Sequence, residues 1–277
     1  MLKNKIDFAV VFSVKNANPN GDPLGGNRPR TTSDGLGEVT DVCLKRKIRN
    51  RLQEEGNEIF VQSDENVSDG KETLSERFND YLKEIQADNK NKLTREEVSQ
   101  AVCKKWFDVR SFGQVFAFKK RGEIDEVSLG IRGPVTIQSA FSVEPILIES
   151  IQITKSVSSE KPEKGSKSSD TMGTKHRVSN SVYVTYGSIS PQLAEKTKFS
   201  NDDAIAIKKA LSTLFVGDES SARPSGSMEV LHVIWWNHNN KYGQHSSVKV
   251  HKSLVVKDNG DIYIEELEGL KPEIIKG

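Results

Sequence analysis

Residues 16–30 read Asn16-Ala17-Asn18-Pro19-Asn20-Gly21-Asp22-Pro23-Leu24-Gly25-Gly26-Asn27-Arg28-Pro29-Arg30. Glycines let the chain approach a ligand closely, while the amides of Asn16, Asn18, Asn20 and Asn27 and the guanidinia of Arg28 and Arg30 supply donors. That combination suits the phosphodiester backbone of a nucleic acid, and it equally suits a structural loop with solvated charges. The Lys-Ser/Thr ending of a nucleotide phosphate loop is missing and no helix follows directly, which argues against ATP or GTP.

Two further groups could share a phosphate strand with this loop. Lys45 and Arg49 lie one helical turn apart with Arg46 on the neighbouring edge, so the three form a basic strip or an ordinary solvated helix face. Farther on, Met172-Gly173-Thr174-Lys175-His176-Arg177 sets an apolar wedge beside basic groups, a pattern able to insert between bases or to serve as a flexible linker.

Catalysis finds weaker support. Asp22, Asp34 and Asp41 could act as general bases, but the first two suit turns and Asp41 complements the dipole of a helix start. His176 has no acid or second histidine at ligand spacing. His232, His238, His245 and His251 are irregularly spaced, so no metal and no cofactor is assigned. Cys43 and Cys103, the only cysteines, fall in helical segments and read as buried thiols.

Local patterns supply the elements that must position these groups. Phe8, Val10, Phe12 and Val14 mark a buried first strand ending at Asn16, and Thr40 caps a helix running to about Glu55. Two amphipathic helices follow, one on Leu74, Phe78, Leu82 and Ile85 and the other on Val98, Val102 and Trp106, the second with a Thr94/Glu97 capping box. They read as an insertion on the side of the core. Strand character resumes at 112–118, 135–139 and 145–154.

Residues 155–181 are rich in Ser, Lys and Gly and read as a disordered linker or a polar arm that orders on a partner. A strand at 183–186, a helix capped by Ser200, a strand at 228–236 and extended runs at 248–256 and 262–265 around the turn Asp258-Asn259-Gly260 complete the chain. The expected organisation is residues 1–55 and 182–277 as two halves of one core, a helical insertion at 56–107, core strands at 108–154 and the arm at 155–181. Without insertions the order is strand, helix, strand, strand, helix, strand, an α+β, ferredoxin-like arrangement shared with RNA-recognition domains. The aromatic signature of those domains is not clearly met at 112–118.

Composition bounds the partners. Lysine and arginine exceed aspartate and glutamate by 40 to 39, unusual for a free-standing nucleic-acid binder, but positive charge concentrates between Lys15 and Arg51 while 258–268 is acidic. No apolar run approaches the ~20 residues of a membrane span and no secretory segment is evident, so a cytoplasmic address without membrane contact is expected.

Taken in order, Asn18-Pro19-Asn20-Gly21-Asp22-Pro23, Asn27-Arg28-Pro29-Arg30, Leu44-Lys45-Arg46-Lys47-Ile48-Arg49, Asp108-Val109-Arg110-Ser111-Phe112-Gly113 and Arg132-Gly133-Pro134-Val135 resemble the backbone subunit of type I CRISPR Cascade complexes, most like the type I-C subtype. The likeness continues through Gly173-Thr174-Lys175-His176, Phe199-Ser200 and Leu214-Phe215-Val216-Gly217-Asp218. The resemblance implies a hand-shaped subunit with a ferredoxin-like palm, a helical finger and a thumb hairpin. It implies polymerisation along a guide RNA (crRNA), presentation of that guide to target DNA, and association with other Cascade subunits.

Carried over by position, Asn16, Asn18, Asn20, Asn27, Arg28 and Arg30 would contact RNA, Lys45, Arg46 and Arg49 would extend the track, and Met172, Lys175 and His176 would be thumb contacts. Type III relatives cut RNA with an aspartate of the equivalent loop, whereas type I backbone subunits are non-catalytic, and the latter is expected here. A metal-assisted endoribonuclease on the same fold is the alternative, and a general single-strand binder a third reading.

Overall fold

The computed structural model describes residues 1–87, 93–117, 129–154 and 172–277. At its centre β1 (Ile6–Ala17) is buried on both faces, as its nearly unbroken apolar run requires. Phe8, Val10, Phe12 and Val14 enter one apolar cluster, Ala9 and Val11 another. The strand carries one residue past the expected turn, because Asn16 takes a left-handed conformation (φ 54°) within it.

A short hairpin, β2 (Gly21–Asp22) and β3 (Arg28–Pro29), precedes β4 (Leu36–Val39) and α1 (Asp41–Glu54). Thr40 caps α1 as expected, its hydroxyl accepting from the Cys43 amide at 3.3 Å. Then come α2 (Leu74–Ala87), α3 (Arg95–Lys105) and α4 (Phe107–Phe112), with the Thr94/Glu97 capping box formed. The paired strands β5 (Gly113–Phe116) and β6 (Leu129–Arg132) complete this block.

Its own apolar cluster joins Phe60, Phe78, Val98, Val102, Trp106, Val109, Phe116 and Leu129. The block therefore extends past residue 107 to Leu129, and the strand expected at 112–118 belongs to it and not to the main sheet. Gly113, with φ of 79°, turns the chain out of α4, so that strand begins one residue later than expected; Phe118 lies outside the described residues.

Next in the main sheet come β7 (Val135–Ile137), β8 (Ala140–Pro145) and β9 (Ile148–Thr154). All three pair in turn with one long strand, β10 (Met172–Ile189). Only 183–186 of β10 carries a clear strand pattern in sequence. From Met172 to Val178 it forms a ribbon with β9, and an exposed ribbon satisfies its backbone without an apolar face. The expected arm thus enters a regular ladder at Met172; residues 155–171 of it lie outside the described residues.

α5 (Pro191–Thr197), α6 (Asn201–Ser212) and β11 (Met228–Asn237) follow. The sheet order is β11-β1-β10-β8-β4, with β14 (Glu273–Lys276) outside β11, and every pair is antiparallel. α1 and α6 cover one face through Leu44, Ile48, Leu52, Ile207 and Leu211. Phe12 stacks on Tyr183 and Phe8 on Trp235 across neighbouring strands, at 5.4 and 5.6 Å between ring centres.

The opposite face is covered too. α7 (Ser247–Lys252) and the hairpin β12 (Leu254–Val256) and β13 (Ile262–Ile264) lay Val250 and Leu254 against Val11, Ile234 and Trp236. The extended run expected at 248–256 is therefore half helix: Ser246 caps it through the Lys249 amide, which overrides the valine alternation. Among the described residues no helix is long and apolar enough to cross a membrane.

Candidate nucleic-acid interface

The asparagines of the first loop divide into two roles. Asn16 and Asn27 adopt positive φ, 54° and 59°, a conformation asparagine tolerates better than most residues. Asn18 and Asn20 bond within the protein. The Asn18 side chain, in a residue 3% exposed, donates from Nδ2 to the Asn27 carbonyl at 2.7 Å. Asn20 accepts both the amide and the hydroxyl of Thr40 at 3.0 Å, tying the loop to the cap of α1. A Cβ on Gly21 would sit 1.9 Å from Asn27 Oδ1, so a larger residue there would displace the Asn27 side chain.

These bonds hold the hairpin tip away from the core. Pro23 to Arg28 are exposed, and Leu24 is 99% exposed. Asp22 shapes the turn: its carboxylate accepts the Leu24 amide at 3.2 Å and lies 3.4 Å from Arg30 Nη2. Asp41 pairs with Lys45 at 2.8 Å. Both carboxylates thus have structural work, and Asp34 precedes Gly35, whose φ is 81°. Among the described residues no group of histidine, cysteine or acidic side chains could hold a metal ion.

Two members of the basic strip on α1, Arg46 and Arg49, are tied to protein groups. Arg46 donates to the Val61 carbonyl at 2.6 Å, and burial lowers its pKa, with the neighbouring Arg49 charge adding to the effect. Arg49 bonds Asp108 at 2.9 Å and lies over the Phe112 ring at 5.1 Å. Residues of the helical block lie over Arg46 and Arg49, and the two guanidinia hold them there. Lys47, which the sequence left among the charged residues, is 4% exposed.

On the ribbon, alternation separates the three expected contacts. Met172 and His176 share one face, where Met172 is 60% exposed, Gln152 Nε2 reaches its sulfur at 3.2 Å and His176 Nδ1 lies 2.8 Å from the Ser150 hydroxyl. Lys175 lies on the other face and donates to the Ser221 carbonyl.

Ser221 belongs to a second loop, 217–227, of which only Gly217 and Asp218 entered the sequence motifs. This loop meets the first one by two main-chain bonds, Asn18 N to Ala222 O at 2.9 Å and Lys15 N to Ser227 O at 2.8 Å. Within it Asp218 accepts from Lys47 and from Arg223 Nε, the latter at 2.8 Å. First loop, second loop and ribbon root therefore converge at one end of β1, bringing Lys15, Arg28, Arg30, Lys175 and Arg223 to one region. Arg30 Nε and the Ser227 hydroxyl are buried there without a partner among the described residues. Such an arrangement can bind a polyanion by charge and main-chain approach.

A second charged cluster lies at the other end of β1. Asp7 is fully buried, 2.8 Å from His238 Nε2, 3.0 Å from Lys5 Nζ and 3.7 Å from His251 Nε2. The Gln244 amide donates to His238 Nδ1 at 2.9 Å, so the proton of the neutral ring sits on Nε2, toward Asp7. Burial raises the Asp7 pKa, but bonds from His238, Ser247 and Lys5 outweigh it and leave it lowered. This cluster ties the C-terminal segment to the sheet.

The description "CRISPR-associated protein Cas7" belongs to the family model that matches residues 4–271. A curated CRISPR-associated protein Cas7 of Haloferax volcanii is 36% identical over 118 residues, 42% of this chain. The match spans 33% of that relative's length. Among solved structures, a chain of a CRISPR RNA-guided surveillance complex described as pre-nicking has a TM-score of 0.50 at 16% identity, covering 84% of this chain and 75% of its own. A second CRISPR RNA-guided surveillance complex gives 0.45 at 17% identity, over 84% and 68%. The first likeness is one of fold. Since the family match runs through nearly the whole sequence, the chain belongs to the Cas7 family of CRISPR-associated proteins.

Proposed function

We propose that this chain is a non-catalytic, crRNA-binding backbone subunit of a type I Cascade surveillance complex, of the I-C subtype. Copies polymerise along the spacer of the guide, associate with other Cascade subunits and present the guide for pairing with target DNA. The observation that carries this reading is the convergence of two loops and the ribbon root on one basic region beside an exposed hairpin tip. Base pairing then reads sequence while the protein reads backbone and shape.

Several features support the finer parts. The strand order β11-β1-β10-β8 with α1 and α6 on one face agrees with a ferredoxin-like palm. The β9–β10 ribbon is the thumb and the helical block the finger. Because α7 and β12–β13 cover the second face, bases do not stack on the open sheet as in an RNA-recognition domain. The RNA-facing set is Asn16, Asn27, Arg28, Arg30, Met172, Lys175 and His176, while Asn18, Asn20, Arg46 and Arg49 act as scaffold and Lys45 stays on Asp41.

Purification with and without a co-expressed guide tests this. Native mass spectrometry should find several copies on one intact RNA, and I-C partner subunits should join that particle in preference to those of other subtypes. A monomer that carries no RNA overturns the backbone reading. Metal-dependent cleavage of labelled precursor, abolished by Asp22→Asn, would establish the endoribonuclease instead.

A further inference from the structure

The second loop holds two cations on one carboxylate oxygen: Lys47 Nζ and Arg223 Nε both reach Asp218 Oδ2. One carboxylate neutralises one cation, so the trio carries a net positive charge. The two cations are not equivalent. The Lys47 side chain is 4% exposed and also lies 5.8 Å from the centre of the Phe215 ring, whereas that of Arg223 is 28% exposed. Taking Asp218 away from Lys47 would leave a bare charge in a low-dielectric site; taking it from Arg223 would not.

Arg223 is also only partly used. It donates through Nε to Asp218, to Oδ2 at 2.8 Å and to the carbonyl at 3.3 Å. Its two Nη nitrogens have no protein partner among the described residues, and these form the fork that matches two oxygens of a phosphate. Around it, Lys175 is bonded to the neutral Ser221 carbonyl, Lys15 has no ion pair among the described residues and the Ser227 hydroxyl is buried without a partner.

We propose that Arg223 is a phosphate-binding residue held in reserve on Asp218, and that a phosphodiester of single-stranded RNA draws its guanidinium into a bidentate contact while Lys47 stays paired with the Asp218 carboxylate. Lys175 joins the same phosphate track by exchanging the Ser221 carbonyl for a phosphate oxygen, which couples the ribbon root to RNA. The ligand is a backbone phosphate and not a base, since three cations, one with a free guanidinium fork, match an anion with two adjacent oxygens. This inference rests on the RNA-binding reading above.

The test measures anisotropy of a labelled single-stranded RNA against salt for the wild type, Arg223→Gln and Arg223→Lys, with a thermal melt of each. In Arg223→Gln the slope of log affinity against log salt should flatten by ~0.7, about 2.5-fold less affinity lost between ~50 and ~200 mM salt, with an unchanged melt because Lys47 still holds Asp218. Arg223→Lys, which keeps the charge and loses the fork, should keep the slope and bind more weakly at every salt concentration, and that loss, or its absence, decides the question if Arg223→Gln unfolds the loop. A wild type that binds no RNA defeats the functional reading itself. A wild type that binds, with the same slope in stable Arg223→Gln, defeats only this proposal. So does a change confined to RNA-free self-association, which would mean that Arg223 meets a carboxylate of a second copy.

Discussion

Arg49 Nε lies 2.9 Å from Asp108 Oδ2, joining α1 to the start of α4 across 59 residues of sequence. The same carboxylate accepts the Phe60 and Val61 amides at 2.7 and 3.1 Å, and Asp108 is 1% exposed. One buried side chain thus closes the helical block onto the sheet domain. Removing it strands a guanidinium and two amides, a change that costs roughly 3–5 kcal/mol when a buried pair is broken. Asp108→Ala should lower the urea midpoint accordingly, and an unchanged midpoint would mean the block is held by its apolar cluster alone.

Arg49 and the loop arginines should behave differently toward RNA. Replacing both Arg28 and Arg30 by alanine should flatten the salt slope of RNA binding by ~1.4, two single-strand contacts, with little change in stability. Arg49→Ala should do the reverse, lowering stability and leaving the slope intact. Anisotropy titrations paired with melts separate the two, and a slope loss in Arg49→Ala would return that residue to the RNA track.

Acid should loosen the C-terminal cover of the sheet. Burial keeps the His251 pKa below its ordinary 6.5, against the opposing pull of Asp7, so the unfolded chain takes up a proton that the folded chain resists. Stability is then full above pH 6.5 and falls as pH drops below it toward the folded pKa. Asp7 acts in a lower window: its lowered pKa contributes stability that is present above 3.8 and lost as pH falls through the folded value. The charges facing His251 are Asp7 and Lys5, beside the stacked Tyr186 ring at 4.9 Å. Melting temperature measured between pH 7.5 and 5.5 should fall in the wild type and fall less in His251→Gln.

The thiols should be inert in the folded protein. Burial pushes Cys103 up to about 11, with Arg110 opposing only in part, and raises Cys43 as well. At pH 8 about one Cys103 in a thousand is thiolate, so iodoacetamide should label it only after denaturation. Rapid labelling of the native chain would show that the helical block opens locally.

Glycine 187 tests the packing of the central strands. A Cβ there would fall 2.2 Å from Phe8 Cζ and 2.4 Å from the Thr136 carbonyl. Both belong to strands that pair with β10, so neither can retreat without breaking the ladder. Gly187→Ala should cost about 3 kcal/mol or more and reduce soluble yield, whereas Gly130→Ala, with open space around it, should be silent.

What the sequence determined by itself was local. Thr40, the Thr94/Glu97 pair and Ser200 start helices where expected because a cap is satisfied within three residues of itself. The apolar run of β1 and the periodicity of α1 and α6 named the buried residues of those three elements for the same reason. Motif order carried the family across nearly the whole chain.

Tertiary structure decided what each charge does. A basic residue every three or four positions reads the same whether its helix face meets water, a helical block or RNA, and only the tertiary fold set Val61 and Asp108 beside α1 as partners of Arg46 and Arg49. It also resolved the asparagines, since positive φ and a side-chain bond to a residue nine positions away are invisible in composition. The Lys47, Asp218 and Arg223 cluster joins α1 to a loop 171 residues later. Ion pairs at that separation follow from how sheets and helices stack, so no local pattern announces them.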